Sequence, residues 1–291
     1  MASPVVPPDA VAFIGLGTMG APMAGHLAAK GYAVRGWDVS EAARAASPVP
    51  AAASARAAVA GAAAIITMLP DGRAVRAALL DGDALADAVP GGLVLEMSSS
   101  DPLGTRALGE ALTARGLSLV DAPVSGGVRK AREATLAIMA GGAAEDIDRA
   151  MPLLEAMGAS VFRCGALGAG HAMKALNNYV SAAGLVAAVE ALAIGGRFGL
   201  DPETMVDVLN ASTGRNNSTE HKLKQQVIPG TFAAGFAIGL MAKDVGAAAA
   251  LADGMGIDAP LARAMAERWA EAARTLGPGA DHTAIARLLE R

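Results

Sequence analysis

The sequence is short of three things: cysteine, aromatic residues and blocks of like charge. Cys164 is the one cysteine in 291 residues, which excludes an intramolecular disulfide framework and any cysteine-cluster metal site. A reducing cytoplasm is the expected location, and no metal is expected. Aromatics make up 3% against 53% hydrophobic residues. The apolar excess is therefore mostly alanine, which favours helix and packs closely. With 24 basic and 28 acidic residues the net charge is −4, and neither sign gathers into a run. That argues against a nucleic-acid partner. The opening MASPVVPPDA has no basic n-region and no long apolar run, so it does not read as a secretory signal. It reads as a short disordered lead with three prolines. The mean hydropathy of +0.39 calls for a membrane check. The most apolar window, residues 175–196, contains Asn177, Asn178, Ser181 and Glu190. A spanning helix would expose these to lipid at roughly 1–3 kcal/mol each, so no membrane partner is expected.

What is present is an alternation. VAFIGLG at 11–17 reads as a strand running into glycines, 19–30 as a helix and AVRGWD at 33–38 as a second strand. Further strand-like runs lie at 63–68, 92–98, 117–121, 135–140 and 159–163, with helical segments between most of them. This is the pattern of a doubly wound, largely parallel α/β sheet of the Rossmann type. Past about residue 165 the strand signals stop. One long helix over 168–196 and several shorter ones follow, with Asp201-Pro202 and Asp258-Ala259-Pro260 as helix starts, Asp near the N-cap and Pro in the first turn. The expected organisation is a dinucleotide-binding domain over 1–166 and an all-α substrate and dimerisation domain over 167–291. The long helix is apolar on more faces than its own chain is expected to cover, which points to a homo-oligomer.

The first strand ends in Gly15-Leu16-Gly17-Thr18-Met19-Gly20, a G-x-G-x-x-G that opens a helix and is followed by Asp38 at the end of the second strand. In that context each position has a physical task. Gly15 permits the tight turn, Gly17 lets a pyrophosphate approach, and Gly20 lets the helix pack on the sheet. The free N–H groups at the helix start suit phosphates. Asp38 suits the adenine-ribose hydroxyls and repels a 2′-phosphate, which favours NAD over NADP. Arg35 and Arg44 stand close in sequence and keep NADP open.

Two further polar concentrations stand in apolar surroundings. Gly170, Lys174 and Asn178 are spaced to share one face of the long helix. A helix apolar on nearly every side is expected to be buried, and a buried lysine needs a partner or a task. Gly170 is read as leaving room for a ligand, and Asn178 as bonding either the lysine or that ligand. Asp121-Ala122-Pro123-Val124-Ser125-Gly126-Gly127 follows a strand; Ser125 offers a hydroxyl, and Gly126 and Gly127 offer unobstructed N–H groups suited to a carboxylate.

Together these blocks resemble the β-hydroxyacid dehydrogenase family, the group of 3-hydroxyisobutyrate dehydrogenase and tartronate semialdehyde reductase. FIGLGTMGAPMAGHL resembles its N-terminal signature, DAPVSGG its substrate block, GALGAGHAMKALNN its catalytic block and LMAKDVGAA its late K-D block. The resemblance implies Lys174 as catalytic acid and base. It implies Ser125, Gly126, Gly127, Asn178, Phe236 and Asp244 as substrate residues. Met68, Leu69, Pro70, Ser99 and Lys243 would join Gly15, Leu16, Gly17, Thr18, Met19, Gly20 and Asp38 around the cofactor. The family usually has Thr at the position of Ser99 and Gly at that of Ala134. The second departure is expected to alter packing beside the substrate loop.

The implied activity is NAD(P)-dependent, reversible oxidation of a small 3-hydroxy acid, most like 3-hydroxyisobutyrate dehydrogenase. Tartronate semialdehyde reductase and an L-threonate-type dehydrogenase are alternatives. An imine reductase, which usually lacks the lysine, and a non-catalytic NAD sensor rank lower. Arg129 and Lys130 offer charge for a second anionic group but read better as solvated surface. The polar stretch Ser212–Ser218 is either pocket lining or a plain interhelix loop.

Overall fold

The computed structural model describes residues 3–289. The elements run β1 (Ala10–Ile14), α1 (Gly20–Ala29), β2 (Ala33–Trp37), α2 (Glu41–Ala45), α3 (Ala55–Val59), β3 (Ala64–Thr67), α4 (Gly72–Leu80), β4 (Leu93–Glu96) and α5 (Pro102–Thr113). Then come β5 (Ser118–Asp121), β6 (Val124–Ser125), α6 (Gly127–Arg132), β7 (Leu136–Gly141), α7 (Ala144–Met157) and β8 (Gly158–Gly165). From there the chain is helical: α8 (Ala169–Phe198), α9 (Pro202–Ala211), α10 (Asn217–His221), a π-helical turn (Leu223–Val227), α11 (Ile238–Gly254), α12 (Pro260–Leu276) and a 3-10 turn (His282–Leu288). A Rossmann-type α/β fold followed by a helical region is what the alternation predicts.

Strands β2, β1, β3, β4 and β5 lie side by side in that order and are parallel. Their side chains alternate between two buried faces. Val11 and Phe13 of β1 enter one core with Met23, Leu27, Leu93 and Leu95. Ala12 and Ile14 enter the other with Val75, Leu79, Val94 and Leu112. A sheet covered on both faces needs continuous apolar strands, which is why these read as runs and not as alternating patterns. The sheet is not parallel throughout. β7 meets β5 and β6 antiparallel, and β8 runs parallel to β7. The two-residue β6, inside the DAPVSGG block, is too short to signal itself by periodicity.

Compact packing divides the chain into Met1–Lys174 and Ala175–Arg291, a division inside α8. The first turns of that helix bond to the sheet, as shown below. The second unit has its own core of Leu185, Val189, Val206, Ile238, Met241, Val245 and a fully buried Trp269.

Two expectations need correction. The N-terminal lead is not disordered where it is described: Val5 is buried in the sheet core, donates its N–H to Arg149 O at 3.0 Å and accepts from Tyr32 Oη at 3.2 Å. The helix start at Asp258-Ala259-Pro260 is where it was expected: Ala259 is the N-cap of α12, Pro260 its first residue, and Asp258 beside them pairs with the Arg263 guanidinium. Asp201 does cap α9, accepting from Thr204 N. Finally, α8 is buried on only part of its surface. Met173, Leu176, Val180, Ile194 and Phe198 are exposed, so apolarity on many faces did not mean burial on many faces. This helix is long and apolar enough to cross a membrane by length and composition.

The Ala134 departure has a local reason to matter. Thr135 N bonds to Lys130 O at 2.9 Å, closing α6 in a Schellman arrangement with Ala134 at the left-handed position, φ 54°. Glycine is the ordinary residue there because a Cβ costs about 1–2 kcal/mol in that conformation. Ala134→Gly is expected to stabilise the protein by about 0.5–1 kcal/mol after the entropy of the added glycine is subtracted. A rise in apparent unfolding temperature checks it, and a fall refutes it.

Candidate active site

The C-terminal ends of β1 to β4 share one edge of the sheet, and the residues expected around a dinucleotide follow those strands, except Lys243, which lies on α11 in the second unit. The three glycines are needed for different reasons. Gly15 has φ +101°, and a Cβ on it would lie 2.2 Å from Met68 O. Gly20 would place a Cβ 1.9 Å from Gly15 O, so the helix packs against the turn only because that atom is missing. Gly17 has neither constraint: a Cβ there meets nothing within 4 Å. The fold itself gives no reason for glycine at 17, whereas a pyrophosphate brought against the backbone does. The residues therefore fit a dinucleotide.

Asp38 ties this turn to β2. One carboxylate oxygen accepts from Leu16 N at 2.7 Å and the other from Ser40 N at 2.8 Å. Leu16 itself is buried, its side chain against Gly36. Of the two arginines that left NADP open, Arg35 donates to Ala60 O. Arg44 donates to Asp38 O at 2.6 Å and Val39 O at 3.2 Å. Both guanidinium groups thus serve the backbone. Leu69 N, in the Met68-Leu69-Pro70 turn, donates to Ser98 Oγ at 2.9 Å, next to Ser99.

Below this edge lies a buried charge cluster that the sequence reading missed. His171 is 1% exposed, Glu96 1% and Asp121 0%. His171 Nε2 is 2.7 Å from Glu96 Oε2 and 3.1 Å from Ser98 O, while Nδ1 meets Thr105 Oγ1 at 2.8 Å and Asp121 at 3.6 Å. The Nε2 hydrogen-bond geometry is met at Ser98 O, so the contact with Glu96 is chiefly ionic. Burial alone would lower the imidazole pKa. The carboxylates of Glu96 and Asp121 outweigh it and hold His171 above its ordinary value. Burial likewise works to raise Glu96, but His171 holds it below the ordinary range. Burial keeps Asp121 raised. Asp121 also caps α8 from another element, accepting from Gly168 N and His171 N at 2.7 Å each. A Cβ on Gly170 would lie 2.2 Å from Met139 O and 2.8 Å from Asp121 O. That glycine clears space for the backbone of β7 and the end of β5, not for a ligand as expected. Lys174, one turn beyond His171, is 9% exposed. A Glu ending an otherwise apolar strand and a His three residues before the lysine were the available signals.

Ser125 sits in β6, and Gly126 (φ 130°) and Gly127 (φ 66°) turn the chain into α6. The aliphatic stem of Lys130 packs where a Gly126 Cβ would be. Arg129 lies 3.8 Å from Glu133 with its side chain 78% exposed, a solvated position.

In the second unit Asn178 donates to Asp244 at 2.6 Å and accepts from Asn177 at 3.1 Å. Lys243 stands 3.5 Å from the other Asp244 oxygen. These four residues form one group. Phe236 belongs to another, edge-on to His282 at 5.9 Å between ring centres. The polar 212–218 stretch is largely occupied with its own backbone: Asn216 and Thr219 form a capping box for α10, and Arg215 pairs with Glu220 at 2.7 Å.

Residues 10–165 match the NAD binding domain of 6-phosphogluconate dehydrogenase, and residues 168–289 match the NAD-binding domain of NADP-dependent 3-hydroxyisobutyrate dehydrogenase. A solved Mycobacterium tuberculosis 3-hydroxyisobutyrate dehydrogenase with L-serine superposes with a TM-score of 0.90 at 36% identity, covering 97% of this chain and 99% of that one. The chain belongs to the β-hydroxyacid dehydrogenase family. It is 39% identical to an NAD-dependent L-serine dehydrogenase of Pseudomonas aeruginosa, over 86% of this chain and 88% of the relative. It is 34% identical to a 2-(hydroxymethyl)glutarate dehydrogenase of Eubacterium barkeri, over 97% and 95%. The protein is an NAD(P)-dependent dehydrogenase of this family.

His282 carries a pH prediction. Burial first, and then the charge of Lys222, depress its pKa to about 4. The unfolded value is near ~6.5, so as pH falls the unfolded chain takes up this proton first. Stability is full above about 6.5 and declines towards pH 4, by at most ~3 kcal/mol. His171, raised in the fold, loses its contribution only as pH climbs above about 6.5, outside that window. Thermal unfolding between pH 7 and 4.5 should show the decline, and His282→Gln should flatten it. Equal slopes in the two proteins would refute the assignment.

Proposed function

We propose that this dehydrogenase oxidises a small 3-hydroxy acid to its 3-oxo acid or semialdehyde, with Lys174 as the proton-transfer group. The observation that carries the reading is Lys174 itself: a lysine 9% exposed, one turn past a helix start that Asp121 and His171 fix to the sheet. The nicotinamide supplies hydride transfer. The chain supplies binding and proton transfer. Ser125 and the N–H groups of Gly126 and Gly127 hold the carboxylate, which sets the position of the hydroxyl-bearing carbon. Lys174 Nζ takes the hydroxyl proton in oxidation and returns it in reduction. The neutral amine is the form that accepts a proton. Asn178, Phe236 and Asp244 are the substrate residues of the helical unit, with Asp244 orienting the Asn178 amide. Lys243 serves the cofactor. The functional division is a cofactor domain over 1–166 and a substrate and dimerisation domain over 167–291.

NAD is the preferred cofactor in this reading. A carboxylate at Asp38, at the end of the second strand, suits ribose hydroxyls and repels a 2′-phosphate, and Arg44 is committed to the carbonyls of Asp38 and Val39. The enzyme is placed in the cytoplasm. It is a homo-oligomer that covers the exposed stripe of Met173, Val180, Ile194 and Phe198 on α8.

Initial rates of 3-hydroxyisobutyrate oxidation with NAD and NADP test the chemistry. NAD should give kcat/KM higher by about tenfold or more. Lys174→Ala should lower kcat by about 10²–10⁴ with NAD affinity nearly unchanged. Lys174→Arg should be similarly inactive, because guanidinium stays protonated. Oxidation should quicken into mildly alkaline buffer. A folded, NAD-binding Lys174→Ala enzyme that kept more than about a tenth of wild-type kcat would remove the lysine from the mechanism. Light scattering should show a dimer or a multiple of one, and a stable monomer at micromolar concentration would contradict the assembly.

A further inference from the structure

The charge cluster of His171, Glu96 and Asp121 touches neither of the groups assigned to the substrate nor those assigned to the cofactor, and its hydrogen bonds fix its protonation. Every member lies in the first unit. His171 Nε2 faces Ser98 O at 3.1 Å. A carbonyl only accepts, so Nε2 carries a hydrogen. Nδ1 faces Thr105 Oγ1 at 2.8 Å. Thr105 gives its hydroxyl hydrogen to Asp101 O at 2.9 Å. Its oxygen can therefore only accept from Nδ1, which carries a hydrogen too. With both ring nitrogens protonated, His171 is an imidazolium.

The sheet supplies the reason for a cation there. Glu96 and Asp121 are register partners on β4 and β5, so two carboxyl groups stand side by side, both buried. Among the described residues Glu96 Oε2 receives no hydrogen bond. It lies 2.7 Å from His171 Nε2, and the charge of the ring is what compensates it. Asp121 stands 3.6 Å from Nδ1. The ring is thus faced by Glu96 from β4, Asp121 from β5, the Thr105 hydroxyl from α5 and the Ser98 carbonyl. On its own helix the next charged residue is Lys174.

Lys174 follows His171 by three positions, which on an α-helix is roughly 60° round the axis and roughly 4.5 Å along it. Any rotation or sliding of the first turns of α8 moves both residues together. We propose that His171 is a positioning residue: its imidazolium, paired with Glu96, sets the rotation and height of the start of α8, and so the place of the Lys174 amine against the reacting hydroxyl. This rests on the reading of Lys174 as the proton-transfer group.

Nitrogen-15 spectra of the four histidine rings read the charge directly. At pH 7.5 an ordinary imidazole of pKa ~6.5 is mostly neutral. The ring whose signals vanish in His171→Gln should instead show two protonated nitrogens. If no ring of the wild type does so, the proposal is overturned, whether or not any variant folds. Kinetics with 3-hydroxyisobutyrate read the positioning. His171→Gln leaves Glu96 buried and unpaired. It should lower kcat by about tenfold or more, with the NAD Kd and the substrate KM within about threefold of wild type. Combining it with Glu96→Gln removes the unpaired charge and should bring kcat back to within about threefold of wild type. Where His171→Gln does not fold, Thr105→Val takes away only the Nδ1 acceptor. It should lower kcat by about threefold or more, with Kd and KM again unchanged. An unchanged kcat in the folded variant, or a double variant no better than the single, overturns the proposal and leaves the cluster a role in stability alone. Lys174→Ala separates this inference from the reading beneath it. If that variant stays active the lysine is not the proton-transfer group and the positioning role falls with it, while the imidazolium signal remains.

Discussion

The ion pair of His171 with Glu96, and the Asp121 carboxylate beside it, is the constraint on which the first unit depends. Three charged side chains from β4, β5 and α8 meet where almost no water reaches. Such a cluster is weak evidence for net stability, because desolvation offsets most of the attraction. Its value lies in geometry. A buried charge cannot move away from its partner without a penalty of several kcal/mol, so the start of α8 has one permitted position. Through Ser98, whose carbonyl faces His171 and whose hydroxyl holds Leu69 N, the same cluster reaches the turn after β3. The loops expected to meet the cofactor and the helix that carries Lys174 are fastened to one buried point.

Close backbone approach is the second constraint, and glycine is its instrument. Gly15 meets Met68 O, Gly20 meets Gly15 O and Gly170 meets Met139 O, each within 2.2 Å of where a Cβ would stand. All three are explained by protein packing alone. Gly17 is not, and that difference makes it the more informative sign of a ligand.

The long helix α8 combines unlike environments along its length. Its first turn is tied to a sheet, its middle carries Lys174, Asn178 and Ser181 on one face, and another face is an exposed apolar stripe. A sequence that serves all three looks nearly featureless in hydropathy, since no single side is consistently polar.

The fold class was legible in the sequence because buried parallel strands must be continuous apolar runs and the helices between them need capping residues. Gly15, Gly17, Gly20 and Asp38 were legible because their spacing follows from local geometry. Lys174 and the SGG loop stood out by polarity against an apolar background. What local pattern could not convey was anything depending on residues distant in sequence. Glu96, Asp121 and His171 are separated by 75 positions from first to last, and only the sheet brings them together. The same holds for Gly170, whose neighbours belong to β7 and β5, and for the committed guanidinium of Arg35. The sequence by itself determined which elements form and which residues carry unusual polarity. Tertiary structure alone decided which of those polar groups meet, because a charge or a glycine takes its role from the atoms packed around it, and those come from elsewhere in the chain.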